Sequence, residues 1–309
     1  MKKLSLIFIT FLLLSSLGVA FAQEPEVDVK EIQQTINELS LQLATIKDPA
    51  QAEAILDQIY TLSLEMMKDP EYARKVKEAE NSLRKAMKEK LIKDLIETGT
   101  PPEEAFRIGE EVFGPGEGSQ WTAPVKASSV DWGKLQKGDI MHVRDKEKPI
   151  TYLFAMYFSH SGLAHDQRWS YESNPSTGVK LLPITRNFQV LGRIVALGYT
   201  KGKSRWELIS ALEQAEARYG TDGRTPYNYW FPDKWTDSRL YCSQLVWKTN
   251  FLFLGKDVDS NDWRYLVWLC SRWPNIWGLA CWVFAYLAVA PDEIFLSPET
   301  VYYSIGTVE

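Results

Sequence analysis

The spacing of apolar residues changes at Gly114-Pro115-Gly116, and that change limits the fold more than any other feature of the chain. From about Val27 to Phe113, apolar residues recur every three or four positions. Ile32, Ile36, Leu39, Leu43 and Ile46 form one seam, and Ile55, Ile59, Leu62 and Met66 form another, the pattern of helices packing on other helices. Asp48-Pro49 and Asp69-Pro70 break the pattern, and Asp48 is suited to capping the helix that follows. A charged stretch runs to Glu97, then Thr98-Gly99-Thr100-Pro101-Pro102 precedes a short last helix. The expected unit is a small helical bundle, a packed accessory domain in preference to a binding or gating one.

After the Gly-Pro-Gly turn the texture is different. A polar linker continues to about Ser129, and short strand candidates follow: Ile140 to Val143, Tyr152 to Phe158, Ser161 to Ala164, Trp169 to Glu172, Val179 to Leu182 and Arg193 to Tyr199. Lys203 to Tyr219 reads as a helix, and a Gly/Pro/Asp-rich loop then leads to a second helix beginning near Cys242. Strands first and helices later give an α+β domain. The expected division is a signal peptide over 1–22, a helical domain over 23–113, a linker over 114–130 and the α+β domain over 131–309.

The N-terminus has its own character. Met1-Lys2-Lys3 is a short basic start, Leu4 to Leu14 is an almost unbroken apolar run, and Ala20-Phe21-Ala22 offers small residues where a signal peptidase reads. The expectation is export to the periplasm or the extracellular space, with cleavage before Gln23; an uncleaved membrane anchor is disfavoured because the run is short for a bilayer. Losing Lys2 and Lys3 takes the formal charge from −5 to −7, which argues against nucleic acid as a partner. Trp263, Trp268, Trp273, Trp277 and Trp282 crowd one stretch. Core packing is the favoured explanation, and an acyl-chain groove or membrane-facing patch is the alternative.

The chain has three cysteines and three histidines, so few residues are available for nucleophilic or acid/base chemistry. An exporting route places the cysteines in an oxidising compartment. Cys270 and Cys281 are close enough in sequence to bridge, which leaves Cys242 unpaired. Cys242 stands in Arg239-Leu240-Tyr241-Cys242-Ser243-Gln244-Leu245-Val246-Trp247-Lys248, where a polar loop turns into an apolar helix. A cysteine at a helix start feels the positive end of the backbone dipoles, which favours thiolate. Its candidate base is His160, in a strand candidate among small polar residues; His142, in an alternating strand, fits a structural role better. Glu172 lies in the next strand candidate, from which a carboxylate can reach the far nitrogen of the imidazole. His165 competes for that orienting role. No His, Cys or acidic residues show a recognised metal-ligand spacing, so neither a metal nor another cofactor is expected.

Several of these segments resemble, in order, the YiiX/YebB-like cysteine hydrolases, circularly permuted members of the NlpC-type papain-like superfamily. They are Gly138-Asp139-Ile140, Phe158-Ser159-His160-Ser161-Gly162-Leu163, Tyr171-Glu172, Thr225-Pro226-Tyr227-Asn228-Tyr229, Tyr241-Cys242-Ser243-Gln244-Leu245-Val246-Trp247-Lys248, and the tail Ala290-Pro291-Asp292-Glu293-Ile294 with Ser297-Pro298. The similarity extends over roughly 131–309. It implies a papain-like fold in which the histidine precedes the cysteine, with Cys242 as nucleophile, His160 as general base, Glu172 as the third polar group and Tyr227 beside the developing oxyanion. The backbone N–H of Cys242 is the other natural donor there. Two positions depart from the family pattern: Gln244 stands where an acidic residue is usual after Cys-Ser, and Asn228 where Asp is usual after Pro-Tyr.

The expected activity is hydrolysis of an amide bond through a thioester intermediate, with peptidoglycan peptides favoured as substrate by export and by the resemblance to cell-wall peptidases. A lipid acyltransferase or acyl hydrolase of the lecithin:retinol acyltransferase-like kind is the second reading, and an inactive binding module the third.

Overall fold

In the computed structural model, which describes residues 28–43, 45–46, 48–114, 129–145, 157–272 and 287–309, four helices precede a six-stranded sheet. The helices are α1 (Val29–Leu43), α2 (Pro49–Met66), α3 (Pro70–Glu97) and α4 (Pro102–Phe113). Both Asp-Pro breaks become helix starts. Asp48 accepts the N–H of Ala50 at 3.1 Å, Asp69 accepts that of Tyr72 at 2.7 Å, and each following proline occupies the first helical position, where no N–H is needed.

The sheet has the order β4-β3-β2-β1-β5-β6 and is antiparallel throughout. Its strands are β1 (Ile140–Arg144), β2 (His160–Ala164), β3 (Trp169–Asn174), β4 (Gly178–Pro183), β5 (Ile194–Thr200) and β6 (Thr300–Thr307). The candidate strand over 152–158 falls mostly outside the described residues, and the final strand β6 was not expected. Side chains alternate across the sheet as the pleat requires. Ile140, Leu163, Tyr171 and Val179 pack with Leu212 and Ala215 of α6 (Arg205–Tyr219) and with Leu245 and Val246 of α7 (Cys242–Leu254). Met141, Val143, Ala164, Val195 and Leu197 join a separate cluster with Leu135, Val308 and Ile184 of the short helix α5 (Ile184–Asn187), beside Phe188.

The N-terminal helices share their core with the sheet. Leu83, Leu91 and Phe113 belong to one buried cluster with Ile194, Ala196, Tyr302 and Phe295, the last in α9 (Pro291–Leu296). Polar contacts cross the same junction. Lys90 of α3 donates to the carbonyl of Thr300 at 2.7 Å and pairs with Asp94, which accepts the N–H of Tyr302 at 3.1 Å. Tyr157 donates to the carbonyl of Val112 at 2.9 Å. Burial pushes the Lys90 amine below its ordinary range and the Asp94 carboxyl above, which is the electrostatic cost of drawing both charges out of water.

In α8 (Trp263–Arg272), Trp268 is wholly buried while Trp263 is 62% exposed. The other three tryptophans of that stretch lie outside the described residues. Among the described residues, no helix is long and apolar enough to cross a membrane.

Candidate active site

Cys242 is the first residue of α7, and the helix start is seated where β2 and β3 part. The ladder between those strands comprises the pairs Leu163–Tyr171 and Ala164–Ser170. Beyond it, each strand turns to the segment entering the helix: the N–H of Ser161 donates to the Cys242 sulfur, and the hydroxyl of Ser173 donates to the carbonyl of Leu240. A third fastening comes from the loop before, where Leu240 N–H donates to Pro226 at 3.0 Å and Asn228 N–H to Leu240 at 3.2 Å.

Gln244 explains why a helix begins at this point. Its side-chain oxygen accepts the N–H of Tyr241 at 3.1 Å, closing the first turn backward as a capping residue does. Its amide nitrogen faces the carbonyls of Asp233, Lys234 and Thr236 at 3.0–3.2 Å, which folds the preceding loop around the helix end. Ser243 donates to the carbonyl of Val289 at 2.7 Å, and the Tyr241 hydroxyl accepts the Val289 N–H at 2.9 Å. With those polar groups paired, the run from Cys242 to Asn250 is buried on all sides.

His160 begins β2. Its Nε2 lies 2.5 Å from Oε2 of Glu172 on β3, so Nδ1 is the ring nitrogen left for the hydrogen bond to Cys242. The imidazole side chain is 15% exposed and the Glu172 carboxylate is fully buried. Gly162 makes this approach possible: a Cβ there would lie 3.1 Å from the Phe188 ring and 3.3 Å from Glu172 Cβ. Burial alone pulls the imidazole toward neutrality. The facing sulfur and then the Glu172 carboxylate, by charge and hydrogen bonding, outweigh it and hold the His160 pKa up at about 10. For Cys242 burial pushes upward, but the charge and hydrogen bond of His160, with the N–H groups of Ser161 and Ser243, bring the thiol below its ordinary value. A thiolate beside an imidazolium is the state this geometry favours.

Residues 134–259 match the family of permuted papain-like amidase enzymes, YaeF/YiiX, the C92 family. The matched segment contains Cys242, His160, Glu172 and Tyr227 and ends before the tail that carries α9 and β6. The crystal structure of metalloprotein yiiX from Escherichia coli O157:H7 is similar to this chain at 24% identity, covering 55% of this chain and 96% of that one, with a TM-score of 0.36. No curated protein matches the chain.

Within the segment matched to the amidase family, Tyr227 follows Pro226 in the loop bonded to Leu240 and packs edge-on against Tyr229, ring centroids 4.9 Å apart. Burial and the nearby Cys242 charge raise the Tyr227 hydroxyl well above its usual pKa, so it stays protonated and able to donate. His142 is buried between Ser161 Oγ and the Tyr302 hydroxyl, each 2.7 Å away, and burial drops its pKa to about 3. It is a neutral core histidine. His165 pairs with Glu216 of α6 at 2.7 Å and takes no part at His160. Cys242 is a free thiol, and the bridge expected between Cys270 and Cys281 has its second end outside the described residues. Among the described residues, no three His, Cys, Asp or Glu side chains are placed to hold a metal ion.

Sequence reasoning missed the groups that hold the site in place. Ser170 donates to Glu172 Oε1 at 2.6 Å, and Asn187 Nδ2 donates to Oε2 at 2.5 Å. Asp292 accepts the N–H groups of Tyr157 and Phe158 at 2.9 and 2.8 Å, which fixes the chain entering β2 just before His160. The spacing Ser170-x-Glu172 on one strand face was the only local signal for Ser170; Asn187 carried none.

Proposed function

We propose that this protein is an amide hydrolase in which Cys242 is the nucleophile, His160 the general acid and base, and Glu172 the group that orients the imidazole. The observation that carries the reading is the hydrogen-bonded series Cys242–His160–Glu172 at a helix N-terminus, within a segment that matches a permuted papain-like amidase family. The thiolate attacks the substrate's carbonyl carbon. A C–S bond forms and the carbonyl π pair moves to oxygen, where the Tyr227 hydroxyl and the Cys242 N–H are the donors in reach. Collapse restores the carbonyl and breaks the C–N bond, and His160 passes its proton to the departing amine. Water then gives a proton to His160 and attacks the thioester; the C–S bond breaks, its electrons return to sulfur, and the acid leaves.

The favoured substrates are amide bonds in peptidoglycan peptides. What supports this is the signal-peptide-like sequence of 1–22 together with the amidase family match over 134–259. The exposed Trp263 keeps lipid acyl chemistry as the second reading. Replacing Cys242 with Ala should abolish labelling by a thiol-directed acyl probe, and labelling that persists refutes the nucleophile. Incubation with muropeptides and, separately, with phospholipids, followed by mass spectrometry, decides the substrate: cleaved muropeptide supports the peptide reading and released fatty acid the lipid one.

A further inference from the structure

Glu172 carries a buried charge beside the site, and its position depends on residues that never meet the sulfur's reaction partner. Oε2 is shared by His160 Nε2 and Asn187 Nδ2, both 2.5 Å away, and Oε1 faces the Ser170 hydroxyl at 2.6 Å. Ser170 also lies 3.1 Å from the carbonyl of Leu182, but a hydroxyl has one proton, and the shorter, charge-assisted contact takes it. Asn187 ends α5, a helix too short to hold itself. Arg193 holds it instead. One guanidinium nitrogen donates to the Asn187 carbonyl at 2.7 Å, and another pairs with Asp145 at 2.6 Å. The N–H of Asp145 in turn donates to Ser159 Oγ at 2.7 Å, and Ser159 immediately precedes His160. The contacts therefore close a ring: from the His160 side chain through Glu172, Asn187, Arg193 and Asp145, back to the main chain beside His160.

We propose that Asn187, held by Arg193, is a positioning residue that fixes the Glu172 carboxylate against His160. This rests on the hydrolase reading above, in which His160 is the base. A glutamate has three rotatable bonds, and with Ser170 alone its carboxylate can turn about the axis that Asn187 blocks. Once turned, it no longer supports the imidazolium, and the thiolate loses its counter-ion. The charged and titratable groups facing the pair are Glu172 from β3, His142 from β1, and Tyr227 and Tyr241 from the loop before α7. Asn187 acts on them through Glu172 alone.

The test is the rate of Cys242 alkylation by iodoacetamide against pH. The wild-type midpoint should lie below the ordinary thiol value of about 8.5. Asn187→Leu should raise it by about one pH unit, equivalent to roughly tenfold slower alkylation at pH values below both midpoints. In a Glu172→Gln background the same substitution should add little, because its route to His160 is already cut. An unmoved midpoint in Asn187→Leu, or a shift that adds in full to that of Glu172→Gln, overturns the inference. Should Asn187→Leu fail to fold, Arg193→Lys carries the test: it keeps a cation for Asp145, gives up the second contact, and should shift the midpoint in the same direction by less, with no shift counting against the inference. A wild-type midpoint at the ordinary value would instead sink the hydrolase reading itself.

Discussion

The side-chain amide of Asn228 donates to the side-chain oxygen of Gln244 at 3.2 Å, so the two positions at which the resemblance led to an expectation of acidic residues face each other. Both are wholly buried. Two carboxylates at that separation would not both stay ionised in such surroundings, whereas two amides satisfy one another without a shared proton. The pair also supplies what a carboxylate lacks, a donor for the carbonyls of Asp233, Lys234 and Thr236.

Gln244→Glu should therefore destabilise the fold although it is nearly isosteric. The carbonyls of Asp233, Lys234 and Thr236 lose the amide and meet a charge of their own sign, at a cost of about 2–4 kcal/mol by the usual penalty for unpaired buried polar groups. Equilibrium urea unfolding measures it. An unchanged midpoint would mean that the loop over 233–236 is held by other contacts.

Cys242 and His160 titrate in opposite directions, which makes pH a sharp probe of the pair. His160 holds its proton up to about 10 against an ordinary 6.5, so its share of stability is complete below 6.5 and is lost as pH rises through 10. The lowered thiol runs the other way: its share is complete above the ordinary thiol value and lost as pH falls through the depressed one. Activity should be bell-shaped, rising with thiolate formation and falling as His160 deprotonates near 10. His160→Asn should raise the Cys242 thiol, because burial, which opposes the thiolate, is then answered only by the N–H groups of Ser161 and Ser243. Thiolate absorbance against pH checks the direction; a thiol that stays depressed in this variant would mean that the helix start and the N–H groups of Ser161 and Ser243 suffice.

Gly162→Ala tests how tightly the site is built. The new methyl would lie 3.1 Å from the Phe188 ring and 3.3 Å from Glu172 Cβ, closer than ordinary contact. The neighbours must yield by a few tenths of an ångström, costing on the order of 1 kcal/mol in stability. Catalysis should suffer more, with kcat down about tenfold, because the movement displaces Glu172 from His160. Steady-state kinetics beside thermal unfolding separates the two effects, and equal proportional losses would contradict a positional cause.

How far the sequence reached depends on the range of each interaction. Asp48 and Asp69 cap helices through neighbours two and three residues away; a local reading found the cap at Asp48 and, at Asp69-Pro70, the break. Cys242 was legible because the change from polar loop to apolar run marks a helix start within a few residues. His160 and Glu172 are 12 residues apart on adjacent strands, close enough for strand pairing to suggest their meeting. Asn187 reaches Glu172 across the β3–β4 hairpin from the short helix that follows it, and nothing in Ile184-Thr185-Arg186-Asn187 marks the asparagine as special. Periodicity also says that a face is buried without saying against what. The seams of α1 and α2 were legible and α3 read only as a charged stretch, while Lys90 and Asp94 meeting Thr300 and Tyr302, more than 200 residues later, was not legible at all.

That junction carries a prediction of its own. Lys90 and Asp94 are 13% and 3% exposed, and they satisfy the carbonyl of Thr300 and the N–H of Tyr302 at the edge strand β6. Lys90→Met leaves the Asp94 carboxylate buried without its cation, and removal of one partner from such a pair costs about 3–5 kcal/mol. Lys90→Met combined with Asp94→Leu should be milder than the single change, since no charge is stranded, although the Tyr302 N–H then lacks its acceptor. Because Leu83, Leu91 and Phe113 share a core with Phe295 and Tyr302, the helices and the sheet should unfold in one transition, and the variants should lower that single transition as a whole. Two separate transitions in calorimetry, with only the first sensitive to Lys90→Met, would show instead that the helices fold as an independent unit and that the shared core contributes little to the sheet that carries His160 and Glu172.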